Sequence, residues 1–167
     1  MTVEYARNVA RLSGAHTTEI NPKTPHPVID IMSEQKKHMA EGKYGATMRL
    51  GAYPCELKPG TIAFDSYSGQ NFKLTTNNFK LISERHRHRY EVNPEYIAQL
   101  EKAGLVFSGK SPDGVLMEIA ELPKGMHPFF LGTQFHPELK ARPLAPHPLF
   151  TAFIKAAVYV RLKQKSV

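Results

Sequence analysis

The run Glu84-Arg85-His86-Arg87-His88-Arg89-Tyr90-Glu91 constrains this chain more than any other. Read as a strand, it puts Arg85, Arg87 and Arg89 on one face and His86, His88 and Tyr90 on the other. Neither face is apolar. A strand with nothing greasy to bury lines a polar site or forms a sheet edge defended by charge, and the pattern weighs the two evenly. Arginine suits a carboxylate, because its fork makes two parallel hydrogen bonds. His86 and His88 share a face, but no third metal ligand stands at a recognisable spacing.

The surrounding segments give an α/β reading with a mixed sheet flanked by helices. Met1, Tyr5, Val9 and Leu12 recur at helical spacing, with Gly14 as a stop. That helix starts at the first residue without a cap, which suggests an upstream part. Asn21-Pro22, Pro25 and Pro27 make residues 15–45 an extended loop, apolar only at Val28 to Met32, with Lys36 to Lys43 exposed and mobile. Thr47 to Tyr53 reads as a strand ended by Pro54. A loop and short helix follow over Lys58 to Ser68, then a polar stretch from Gly69 to Asn78. Ser83 to Val92 is a second strand. Asn93 as N-cap, Pro94 at the first position and Gly104 as the stop predict a helix over Glu95 to Ala103. Leu105 to Phe107 and Val115 to Leu122 read as a hairpin around Ser111-Pro112-Asp113-Gly114. Phe129 to Phe135 reads as a strand. The last helix starts at Pro148, with Phe150, Phe153, Ile154, Ala157 and Val158 on one face.

A chain of 167 residues fits one domain with a real core. No run approaches membrane-spanning length, and the N-terminus has no signal-peptide core. Cys55 is the one cysteine, so no internal disulfide forms and a reducing, cytoplasmic setting is expected. The net charge is +7, part of it in the closing residues Arg161, Lys163 and Lys165. No nucleic-acid-binding module is recognisable, so neither nucleic acid nor membrane is an expected partner.

Chemistry concentrates in Gly132-Thr133-Gln134-Phe135-His136-Pro137-Glu138. The apolar run Pro128 to Leu131 reads as a buried strand that opens into a loop bearing His136 and Glu138. A histidine base needs an acceptor that fixes its tautomer, and Pro137 stiffens the backbone between the two. These residues make two thirds of a nucleophile–His–carboxylate triad. No nucleophile stands in a recognisable setting. Pro54-Cys55-Glu56 offers neither a strained glycine-rich elbow nor a helix N-terminus, so Cys55 reads as an inert, partly buried thiol.

Several segments, in order, resemble the C-terminal glutaminase domain of the CTP synthases, class I glutamine amidotransferases. They are Tyr5 to Val9, Thr47 to Pro54, Glu84 to Asn93, Gln134 to Glu138 and His147 to Phe150. His-Pro-Glu is shared by many class I amidotransferases, whereas the Arg/His strand is more particular and argues against the glutaminase of GMP synthesis. The resemblance implies an incomplete class I amidotransferase fold over residues 1–167, without the N-terminal synthetase domain. It implies that His136 is the catalytic base, Glu138 its orienter, Arg89 the partner of the L-glutamine α-carboxylate, Glu19 that of its amino group, and Arg49 a residue tied to GTP activation. The family's Gly-x-Cys-Leu-Gly-Met-Gln elbow is absent, and Cys55 does not replace it. The chain alone is therefore expected to be inactive and to bind no cofactor, while the whole enzyme would use ATP and Mg, respond to GTP and form a homotetramer. With central strands missing, exposed edges and apolar faces are expected to make it aggregate or depend on a partner. The alternative is a non-catalytic relic that serves as a binding or assembly module.

Overall fold

The computed structural model describes residues 1–32, 48–68, 73–75 and 78–164. The segment Lys36 to Lys43, the first residue of the Thr47 strand and much of the Gly69 to Asn78 stretch lie outside these. In chain order the elements are α1 (Thr2–Asn8), β1 (His16–Thr17), β2 (Pro27–Ile31), β3 (Arg49–Leu57), α2 (Ile62–Ser66), β4 (Lys73–Leu74), β5 (Lys80–His88), β6 (Tyr90–Val92), α3 (Pro94–Lys102), β7 (Val106–Lys110), β8 (Met117–Glu121), β9 (Leu131–Thr133), a 3-10 turn (Pro137–Leu139) and α4 (Pro148–Gln164).

The strands form two sheets. One has the order β4-β5-β3-β7-β8-β9, with every pairing antiparallel. The other has the order β1-β2-β6, with β1 parallel and β6 antiparallel to β2. The expected mixed α/β arrangement is present, divided over two sheets.

The expected strand over Ser83 to Val92 is two strands. It bends at Arg89, so that β5 belongs to the larger sheet and β6 to the smaller. The Arg/His strand thereby joins the two halves. Along β5 the alternation holds: Glu84 and His86 are buried, Arg85 and Arg87 exposed.

Pro54 does not end its strand. β3 runs on to Leu57, with Pro54 opposite Ser83. A proline has no ladder donor to give, and β7 joins the other side of β3 only at Glu56 and Leu57, so Pro54 sits where that side has no strand partner among the described residues. The Pro-rich segment read as an open loop contains β1 and β2, because Val28, fully buried, gives β2 an inward side. α1 stops at Asn8; Arg11 then turns through φ 60°, and this returns Leu12 to the core.

The helix after Asn93 forms as its caps predict. Asn93 Oδ1 accepts from Glu95 N at 3.1 Å, while Asn93 Nδ2 donates to Pro27 O at 3.0 Å and ties the helix start to β2. At its other end Gly104 takes φ +102°, and Tyr5 Oη reaches Ala103 O at 2.7 Å.

Two apolar clusters flank the β7–β8 hairpin. The first joins Tyr5, Leu12, Val28, Val92, Leu100, Leu105 and Phe107. The second joins Cys55, Leu57, Tyr67, Ile119, Phe135 and Leu149. Gly109 lets the second cluster close against β7: a Cβ there would stand 2.7 Å from Ile119 Cγ1 and 2.9 Å from Cys55 Sγ.

The run Pro128 to Leu131 is not the buried strand expected. β9 covers only Leu131–Thr133, Phe130 is exposed, and Phe129 packs against Phe153 of α4 with ring centroids 5.8 Å apart. The apolar face of α4 is open: Phe150, Phe153, Ile154 and Val158 are all exposed, and Leu149 is the buried residue of that helix. A cavity of about 270 Å³ also opens between the two sheets, beside Met1, Val3, Ile29, Val92, Met117 and Gln134.

Such surfaces favour association. The chain is expected to self-associate with rising concentration in sedimentation velocity, and the double variant I154E/V158E to shift it towards monomer. A wild-type chain that stays monomeric at all concentrations would contradict this.

Candidate active site

His136 follows β9 and opens the 3-10 turn. Its Nδ1 lies 2.9 Å from Glu138 Oε1. With Nδ1–H donating to that carboxylate, Nε2 carries the lone pair that a base needs. Glu138 is held below the usual carboxylate range by its own backbone N–H first and by the His136 ring second. Both side chains are partly exposed, at 39% and 60%, so a substrate can reach them.

The turn is fastened to the free side of β5. His136 N donates to Arg85 O at 2.9 Å, and Lys140 Nζ donates to Ser83 O at 2.6 Å. Behind it, Phe135 is buried between the rings of His86 and His147. Glu84 lies beneath, accepting from Tyr67 Oη at 2.9 Å and lying 3.2 Å from His147 Nε2. Burial alone would raise the Glu84 pKa, but His147, Tyr67 and Lys140 outweigh it and hold the group ionised.

Glu19 and Arg89 are placed by the smaller sheet. β1 runs parallel to β2 and leads straight to Glu19, which is exposed; Arg89 immediately precedes β6. Because Thr17 pairs with Ile29, and Ile31 with Tyr90, both residues come to the same end of that sheet. The structure thus joins His136 to Glu138 directly and gathers Glu19 and Arg89 at one sheet end.

Arg49 is a buried hub. Its guanidinium lies 2.8 Å from Glu118 Oε1 and 3.2 Å from Glu91 Oε1, and stacks 4.5 Å over the Tyr53 ring. Glu91 also accepts from Gln134 Nε2 at 3.2 Å. His86 Nδ1 and His88 Nε2 are 2.9 Å apart. Burial, then the Arg49 charge, lowers His86 to about 3 and His88 to about 4, so both are neutral. Burial pushes Glu91 up to about 7 and Glu118 upward, against the pull of Arg49. Sequence reading missed Glu118; the available signal was an acidic residue inside the apolar run Val115 to Leu122.

Cys55 is fully rather than partly buried, in the second apolar cluster. Burial, then Glu118 and Glu84, pushes its thiol well above the ordinary range, the opposite of an activated nucleophile. Among the described residues no group of three His, Cys, Asp or Glu is placed to hold a metal ion, and no helix is long and apolar enough to cross a membrane.

The family model described as glutamine amidotransferase class-I matches residues 1–156. The chain is 54% identical over 156 residues to a CTP synthase of Rubrobacter xylanophilus, covering 93% of this chain and 25% of that protein. It is 52% identical over 157 residues to a CTP synthase of Halalkalibacterium halodurans, covering 94% of this chain and 27% of that protein. The solved glutaminase domain of Trypanosoma brucei CTPS with bound acivicin has a TM-score of 0.78 and 34% identity, covering 95% of this chain and 56% of that one. The chain thus spans about a quarter of the length of these curated relatives.

Two outcomes are expected from the buried cluster. Replacing Arg49 by Met leaves two buried carboxylates without their cation, which should cost about 3–5 kcal/mol in urea unfolding. His88 titrates at about 4 when folded against 6.5 when unfolded, so the unfolded chain binds more protons between those values and this group's contribution grows as pH rises. The stability difference between wild type and H88Q should therefore increase from pH 4 to 6.5, by up to about 1.4 kcal/mol per pH unit. A pH-independent difference would remove His88 from the account.

Proposed function

This chain belongs to the class-I glutamine amidotransferase family, and on that premise we propose that it is the distal part of a CTP synthase glutaminase domain. The observation that carries the reading is the His136–Glu138 pair, bonded at 2.9 Å through Nδ1 and partly exposed, on a turn fastened to β5. The substrate is L-glutamine. Arg89 takes its α-carboxylate and Glu19 its amino group, a division that their placement at one end of the smaller sheet supports.

The nucleophile on this reading is a cysteine thiolate from polypeptide outside these 167 residues. His136 Nε2 takes the thiol proton to form that thiolate and becomes an imidazolium, and the thiolate attacks the side-chain amide carbon of glutamine. His136 Nε2 gives a proton to the departing nitrogen, ammonia leaves, and an acyl thioester remains. His136 then takes a proton from water, whose oxygen attacks the thioester, so that glutamate departs and the thiolate returns. Glu138 holds the imidazolium in place throughout. Ammonia passes to the synthetase domain of the whole enzyme, which aminates UTP to CTP with ATP and Mg. The described residues provide no donor set for that metal, and no step here passes through it. Arg49 lies in the buried hub, so a response to GTP would reach the site through the strands it joins rather than by free contact. The whole enzyme is a cytoplasmic homotetramer on the same reading.

The test is ammonia release from glutamine by the chain alone, by the chain with the N-terminal part of a related CTP synthase added in trans, and by that mixture with H136A. Hydrolysis only in the mixture is expected, lowered by H136A at least about 100-fold. Activity from the chain alone would reveal another nucleophile and overturn the assignment. Silence in every mixture of folded proteins would instead support a non-catalytic binding or assembly module.

A further inference from the structure

The turn that carries His136 and Glu138 meets β5 beyond the part paired by β4, which among the described residues covers Lys80 and Leu81. Residues two apart on a strand turn their carbonyls to the same side. Ser83 O and Arg85 O therefore both face that side, opposite the one bonded to β3. Arg85 O is filled by His136 N at the head of the turn, and Ser83 O by Lys140 Nζ at its tail. Lys140 Nζ also lies 3.4 Å from Glu84 Oε1, a carboxylate only 1% exposed. Between these two anchors the turn closes on itself: Leu139 N bonds His136 O at 3.0 Å, and Lys140 N bonds Pro137 O at 3.1 Å.

We infer that Lys140 is the second anchor of this turn, a positioning residue for the His136–Glu138 pair. This rests on the function proposed above. A turn held at its head alone could pivot about the His136 amide and carry Glu138 away from the ring. An ammonium on a buried carboxylate and a strand carbonyl stops that pivot, and charge-assisted bonds of this kind are the strong ones. The Lys140 side chain is itself 43% exposed, so its replacement opens no cavity, and Glu84 keeps Tyr67 and His147 as partners.

The variants are K140M, which keeps the stem and removes the ammonium, and K140R, which restores a cation. In the 167-residue chain, hydrogen exchange of the amides in 135–141 should rise about tenfold in K140M, return towards wild type in K140R, and stay unchanged in β7 and β8. Unchanged exchange in 135–141 would overturn the anchor. In the complemented mixture, K140M should lower kcat for glutamine hydrolysis with KM unaltered. A loosened turn with unaltered kcat would overturn the positioning role, as would an effect on KM alone. If the wild-type mixture releases no ammonia, the proposed function fails, while the exchange measurement still decides whether Lys140 holds the turn.

Discussion

The two ion pairs of Arg49 join the two sheets, beside the apolar cluster that also spans them. Glu118 lies on β8 of the larger sheet and Glu91 on β6 of the smaller, and one guanidinium on β3 meets both. A cation between two buried carboxylates is costly to desolvate, and its merit is specificity rather than raw stability. It allows one relative placement of the sheets, because displacement of either leaves a charge unpaired in a medium that punishes it. His86 and His88 line the same space as neutral rings and add no competing positive charge.

Everything at the candidate site hangs from that junction. Arg89 sits at the bend where β5 passes into β6, two residues from Glu91. Gln134, which bonds Glu91, lies two residues before His136. The strand that carries the proposed carboxylate-binding arginine and the segment that carries the proposed base therefore share a buried partner. The side of β5 that has no strand partner among the described residues beyond Leu81, a liability in an ordinary sheet, is where the His136–Glu138 turn is seated. Its free carbonyls serve as attachment points and its arginines face outward.

The open surfaces fit a chain that is one portion of a larger fold. The apolar face of α4 and the cavity between the sheets are sides of cores with nothing on them among the described residues. The solved glutaminase domain extends well beyond the part matched here, with 56% of it covered.

Local chemistry was legible in the residues themselves. Asn93, Pro94 and Gly104 bound α3, since caps and a fixed φ act within a few residues. The hairpin around Ser111 to Gly114 and the His136–Glu138 pair were readable for the same reason, with Pro137 alone between the two partners. What the sequence could not decide depended on neighbours far along the chain. Whether Pro54 ends β3 turns on where β7 begins to pair, and the division of the Arg/His strand turns on β2 capturing Tyr90 to Val92. The burial expected of Pro128 to Leu131 failed because apolar character states what a segment would bury, not what stands opposite. Arg49 finds Glu91 and Glu118 only after the sheets assemble. Bonds to near neighbours were therefore set by the sequence, while the charge hub and the seat of the His136–Glu138 turn were set by tertiary structure, because their partners lie tens of residues away and meet only in the fold.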